Sequence, residues 1–218
     1  TSQIIDAGVN LVWNNISWLE DVPYGEELPN NNIDEIANGL PGGANMSGNV
    51  LLMHFNNESK YGENESNVTD FSGINNHGTS SGTTVPRTNT TDKVFGAASK
   101  TFDGSNDYVS VADALPLRFN DKFTISFWSR GVSYSATQVW VAKRDAGGVN
   151  YQAYLDSNNL WFYDGAARQI TTNAPLVNNK WQHIAYTIDG SDIVRAYIDG
   201  ILQNSVSGAI AADDAPLE

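Results

Sequence analysis

Along this chain, apolar and polar residues alternate in short stretches rich in β-branched and aromatic types, and turn-forming pairs bound each stretch. Residues 100–111 (KTFDGSNDYVSV), 123–128 (FTISFW) and 180–200 (KWQHIAYTIDGSDIVRAYIDG) carry the pattern most clearly. A period of two sends successive side chains to opposite faces of a strand, and Asp-Gly, Asn-Asp and Asn-Lys pairs supply tight turns between strands. The pattern predicts strands over residues 108–111, 123–130, 138–143, 151–155, 160–163, 181–189 and 193–198. Strands recurring at about 8 to 12 residues are the mark of an antiparallel β-sandwich. Phase then assigns faces: Phe123, Ile125 and Phe127 inward against Thr124 and Ser126 outward, and Val194, Ala196 and Ile198 inward against Arg195 and Tyr197 outward. No stretch keeps a helical period.

Two earlier segments read differently. Residues 50–55 (VLLMHF) are almost continuously apolar, which predicts a strand buried on both faces, and the polar stretch 56–92 reads as loop. Residues 1–49 form an acidic N-terminal extension or linker. Between Thr1 and Ser59 there is no Lys or Arg, while Asp6, Glu20, Asp21, Glu26, Glu27, Asp34, Glu35 and Glu58 supply acids and Pro23, Pro29 and Pro41 interrupt the chain. Within the extension, residues 4–5 and 9–19 (VNLVWNNISWL) look like one or two strands. The organisation expected is therefore an extension over 1–49 and one sandwich over 50–218.

Composition narrows the function classes. At 218 residues with 40% hydrophobic content, one large core is affordable. A formal net charge of −13 repels phosphate backbones, so nucleic acid is not an expected partner. No apolar run is long enough to span a membrane. The chain has no cysteine, which removes disulfides and thiolate metal sites. Asn-x-Ser/Thr sequons stand at Asn15, Asn45, Asn57, Asn64, Asn67 and Asn89, and their clustering in polar segments predicts a glycosylated, exported protein.

Catalytic chemistry finds little support. Glycoside hydrolysis normally needs two positioned carboxylates, yet no Glu occurs between Ser66 and Leu217, and Asp103, Asp107, Asp156, Asp164, Asp189 and Asp199 fall in expected turns. His54, His77 and His183 are too dispersed for a triad or a zinc site. Calcium suits loops that offer Asp, Asn and carbonyl oxygens. Two loops qualify: Asp70, Ser72 and Asn76, joined by Asp103, and residues 145–150, with Asp145 and Asn150. Asx turns that merely tie these loops together are an equally good reading. Trp140, Tyr154, Trp161 and Tyr163 alternate out of phase with their core neighbours and are candidates for a sugar-stacking platform, with a second core layer as the alternative.

The order and wording of residues 100–111, 123–128 and 180–200, with the loop 70–78 (DFSGINNHG), resemble the LamG-like, concanavalin A-like lectin/glucanase domains of microbial surface proteins, from about residue 50 to residue 212. The resemblance implies an all-β, antiparallel jelly-roll sandwich preceded by a strand-containing N-terminal extension. It implies an extracellular, non-enzymatic surface module for adhesion or assembly that recognises glycans, other surface proteins or copies of itself. The alternatives are a carbohydrate-binding domain of a larger polysaccharide-active enzyme and a structural subunit of a surface layer or filament completed by strand exchange. The Glu-x-Asp-x-x-Glu pattern of the sandwich-fold glucanases is absent. Pentraxin-like relatives place a calcium-binding Asp and Asn where Asp145 and Asn150 stand, although their further acidic ligands have no counterpart here. The resemblance also implies strands beyond Leu202, and nothing after Gly208 matches them, so the sandwich is expected one or two strands short, with the N-terminal strands, another chain or a further segment filling the place.

Overall fold

The computed structural model describes residues 27, 28, 30, 46–119, 122–145 and 148–208, with residues 145 and 148–150 described by their backbone alone. The predicted strands in residues 4–5 and 9–19, and anything after residue 208, lie outside the described residues. Thirteen strands are described: β1 (Asn67–Val68), β2 (Gly78–Ser81), β3 (Arg87–Asn89), β4 (Ser99–Thr101), β5 (Tyr108–Val111), β6 (Phe123–Ser129), β7 (Gln138–Asp145), β8 (Gly148–Asp156), β9 (Asn159–Tyr163), β10 (Ala167–Ile170), β11 (Gln182–Ile188), β12 (Ile193–Ile198) and β13 (Ile201–Ser207). Every strand pairing among them is antiparallel. Two four-stranded sheets, β10-β9-β8-β7 and β13-β12-β11-β6, form the body, with smaller sheets β1-β2-β5 and β3-β4 beside them. The sequence-derived expectation of an all-β antiparallel sandwich holds.

The two large sheets meet through their apolar faces. Along β11 every second residue is buried, from Gln182 through Ile184, Tyr186 and Ile188, and β12 buries Val194, Ala196 and Ile198 in the same rhythm. Opposite them β8 and β9 bury Tyr151, Ala153, Leu155, Leu160 and Phe162. The Phe162 and Tyr186 rings stand 6.1 Å apart across the interface, and the Tyr186 hydroxyl donates to the Tyr154 carbonyl at 3.2 Å. Each large side chain so buried contributes roughly 1.5 to 3 kcal/mol. Hairpin turns set the registers: Asp199 and Gly200, with φ of 50° and 76°, join β12 to β13, and Ser157 and Asn158, with φ of 50° and 62°, join β8 to β9. Positive φ at both central residues matches the twist of the flanking strands.

Three expectations are corrected. Residues 50–55 form no strand. Their apolar side chains are half-buried, Val50, Leu51 and Met53 lie against the core, and the amide of Phe71 donates to the Leu52 carbonyl at 2.7 Å, with no regular ladder among the described residues. The polar stretch 56–92 is not simply loop, because β1, β2 and β3 lie in it. Finally, β10 and β13 were not expected. β13 buries only Gln203, whose amide makes side-chain hydrogen bonds to Ala174 and to the Ile201 carbonyl, so no apolar alternation announces it.

Candidate functional site

The β8–β9 hairpin turns one face to the core and the other to solvent. Residues facing inward leave Gln152, Tyr154 and Asp156 on the outer face of β8 and Asn159, Trp161 and Tyr163 on that of β9. Register places Tyr154 directly opposite Trp161 and Gln152 opposite Tyr163. The Tyr154 and Trp161 rings stack, with centroids 5.9 Å apart and planes inclined by 24°. The Trp161 indole donates to the Asp156 carbonyl at 3.3 Å, which fixes the ring's edge, and Asp156 itself accepts from the Thr137 hydroxyl at 2.8 Å. The row continues sideways to Gln169 beside Trp161 and to exposed Val139 beside Tyr154. Burial, with the charges of Asp156 and Tyr163 adding, raises the pKa of the Tyr154 phenol above the ordinary tyrosine value. It therefore stays protonated and able to donate a hydrogen bond.

Three of the four expected platform residues thus share one face, and Trp140 does not. The β7–β8 register shifts between Val139 and Val141, so Trp140 is the extra residue of a bulge. Its ring lies against Phe127 of the facing sheet, centroids 5.4 Å apart, and packs on the core. A bulge reverses the phase from which its orientation was read.

A second aromatic group was missed. On the outer face of the other sheet, Trp128 is 41% exposed and stands beside its β11 partner His183 and edge-on to Phe95, at 5.4 and 5.5 Å. Its position out of phase with Phe123, Ile125 and Phe127 was the available signal. Burial pushes the His183 pKa down, partly opposed by Asp199.

The expected metal loops are built as follows. The Asp70 carboxylate is buried and accepts from the amides of Leu52, Ser72 and Asn76 at 2.9, 2.9 and 2.8 Å and from the Ser72 hydroxyl at 2.8 Å. The Asn76 amide group donates to the Val50 carbonyl at 2.9 Å. Asp70, Ser72 and Asn76 therefore clasp residues 50–52. Asp103 accepts from the amides of Ser105 and Asn106, an Asx turn of its own loop. The Asp145 and Asn150 side chains lie outside what is described. Their backbone belongs to β7 and β8, in which Asp145 pairs with Gly148. Among the described residues no three His, Cys, Asp or Glu side chains group so as to hold a metal ion. Of the sequon residues, Asn57, Asn64 and Asn67 are exposed and Asn89 is half-buried, its side-chain oxygen accepting from Thr91 and Asp92; Asn15 and Asn45 lie outside the described residues.

Two facing antiparallel sheets with an aromatic outer hairpin define a concanavalin A-like β-sandwich. A sequence model of the concanavalin A-like lectin/glucanases superfamily matches residues 103–217, and the chain belongs to that superfamily. Its fold is similar to domain 4 of AbnA, an extracellular arabinanase of Geobacillus stearothermophilus solved with arabinotriose, at 18% identity over 68% of this chain and 75% of that one, with a TM-score of 0.53. It is also similar to the binding domain of botulinum neurotoxin DC in complex with SialylT, at 17% identity over 79% of this chain and 43% of that one, TM-score 0.54. A botulinum neurotoxin type C structure, described as interacting with two ganglioside molecules, aligns at 15% identity over 78% and 42%, TM-score 0.52. The chain thus spans under half the length of the toxin chains. No curated protein matches. Among the described residues no helix is long and apolar enough to cross a membrane.

Proposed function

We propose that this chain is an extracellular, non-catalytic glycan-binding module whose platform is the outer face of the β8–β9 hairpin. The stacked pair of Tyr154 and Trp161 carries the reading. Sugar rings present apolar C–H faces that rest on aromatic planes, while a polar fringe fixes their orientation. Here the fringe is the Tyr154 and Tyr163 phenols with Gln152 and Gln169 beside them in register. The absence of Glu between Ser66 and Leu217 supports binding without hydrolysis. The likeness in fold to an arabinanase domain holding arabinotriose favours a second form of the same reading, a binding domain serving a polysaccharide-active enzyme.

The test is calorimetric titration with arabino-oligosaccharides and with sialylated oligosaccharides. Trp161→Ala is expected to weaken binding about tenfold or more, corresponding to about 1.4 kcal/mol. Trp128→Ala, on the other sheet, is expected to leave the affinity within about twofold. A sugar that binds Trp161→Ala as tightly as the parent chain would place the site elsewhere, and release of shortened product during incubation would refute the non-catalytic part.

A further inference from the structure

The outer face of the β8–β9 hairpin carries one sign of charge. Between Gln152 and Gln169 the chain has a single cation, Arg168. It stands opposite Phe162, in the phase that faces away from the Tyr154–Trp161 pair, and its guanidinium bonds the Asp164 carboxylate, whose side chain is buried, at 3.1 Å. The outward positions of β8, β9 and β10 among the described residues hold aromatic, amide and small side chains, and Asp156 is the one ionised group there.

The surrounding chain fixes Asp156 in place. It ends β8 and pairs with Asn159 across the turn made by Ser157 and Asn158. Its carbonyl accepts from the Trp161 indole, and its carboxylate Oδ1 accepts from the Thr137 hydroxyl at 2.8 Å. Among the described residues Oδ2 meets no donor, and the Tyr154 and Tyr163 phenols next to it in the outer row meet no partner either. The charge reaches the rings: after burial, Asp156 is the larger of the two charges that raise the Tyr154 pKa.

A carboxylate oxygen with lone pairs to spare, at the edge of an aromatic plane, is a strong acceptor for a hydroxyl, because charge-assisted hydrogen bonds are roughly twice as strong as neutral ones. The same oxygen meets a sugar carboxylate as a like charge, and their repulsion grows as a bound ring displaces water. With Arg168 turned away and paired to Asp164, the face offers no cation to offset it.

We propose that Asp156 makes the hairpin platform selective for neutral sugars: Oδ2 accepts from a hydroxyl of a ring resting on Tyr154 and Trp161, and the negative charge turns away sugars that bear a carboxylate. The inference rests on the reading of this face as a glycan platform and adds the class of sugar and the residue that selects it.

Calorimetric titration of the full chain, Asp156→Asn and Trp161→Ala with arabinotriose and with a sialylated trisaccharide tests it, at about 0.05 and about 0.5 M salt. The parent chain should prefer arabinotriose by at least about tenfold at the lower salt. Asp156→Asn, which keeps an oxygen for Thr137, should weaken arabinotriose, strengthen the sialylated sugar and reduce the preference at least about tenfold. High salt should narrow the preference of the parent chain and leave that of the variant unchanged, a pattern that a merely structural role would not produce. Equal binding of the two sugars by the parent chain overturns the proposal, as does tighter binding of the sialylated one. So does a preference that neither Asp156→Asn nor salt alters, even where Trp161→Ala weakens arabinotriose and thereby upholds the platform. Binding of neither sugar, or binding that Trp161→Ala leaves intact, overturns the platform reading itself and this inference with it.

Discussion

Lys143 occupies the least congenial place for its type. It lies on the inward side of β7 opposite Tyr151, is wholly buried, and sets its ammonium 2.9 Å from Asp113. Arg118 also bonds Asp113, and Arg118 first and Lys143 second hold that carboxyl below the usual carboxylate range. Stability from such a group is present above the unfolded aspartate value near 3.9 and is lost as pH falls through the folded one. Asp113→Asn removes the carboxylate beside a buried cation and is expected to cost about 3 to 5 kcal/mol in urea unfolding at neutral pH. The gap to the parent chain should narrow below about pH 4, and a cost under about 1 kcal/mol would mean that another group carries the pairing. His183 has the depressed pKa of a partly buried ring, so its neutral form favours folding above its ordinary value and that contribution fades as pH falls below it. His183→Gln should therefore lose less melting temperature between pH 7 and pH 5 than the parent chain. Alternation alone put Tyr154 and Trp161 on the outer face, because they sit on an unbroken ladder, and gave the wrong phase for Trp140, because one inserted residue in β7 is invisible in the pattern.

Among elements, the hairpins were the most legible. Ile198 and Ile201 pair across Asp199 and Gly200, and a Cβ built on Gly200 meets nothing within 4 Å. Gly200→Val thus isolates the cost of the left-handed conformation at φ 76°. An expected loss of about 1 to 2 kcal/mol in chemical denaturation follows, and an unchanged midpoint would show that the turn relaxes to another type. Strands whose fit depends on distant partners were not legible. β13 is held by pairing with β12 and by amide bonds from Gln203, β2 reads as Gly-Thr-Ser-Ser, and the apolar run 50–55 is the converse, strand-like in sequence and without a ladder among the described residues. Local pattern reports which side chains can be buried, whereas pairing depends on what the rest of the chain places alongside.

At the scale of the whole molecule, the sandwich was readable because its body repeats one rule, more and less buried positions alternating at period two with the apolar set inward, over β6, β8, β9, β11 and β12. The role of Asp70 was open between ligand and clasp. Asp70→Asn is expected to cost about 1.5 to 3 kcal/mol in chelator, since charge-assisted bonds to Leu52, Ser72 and Asn76 are weakened. A cost appearing only when calcium is added would make Asp70 a metal ligand. Mass spectrometry of natively produced protein should find glycan on the exposed Asn57, Asn64 and Asn67, and unmodified peptides at all three would remove the glycoprotein expectation.

The pairing of β6 with β11 has a consequence for how the molecule comes into being. Residues 123–129 find their neighbours in residues 182–188, with β7 through β10 intervening. At roughly 5 to 20 residues per second of synthesis, β6 waits several seconds for the strand that covers one side of it. During that interval Phe-Thr-Ile-Ser-Phe-Trp is an uncharged, β-prone segment with both edges open, the kind that associates with its like. Non-local pairing of this sort also slows folding after release. Keeping nascent chains apart until β11 arrives is therefore expected to raise the yield of folded protein.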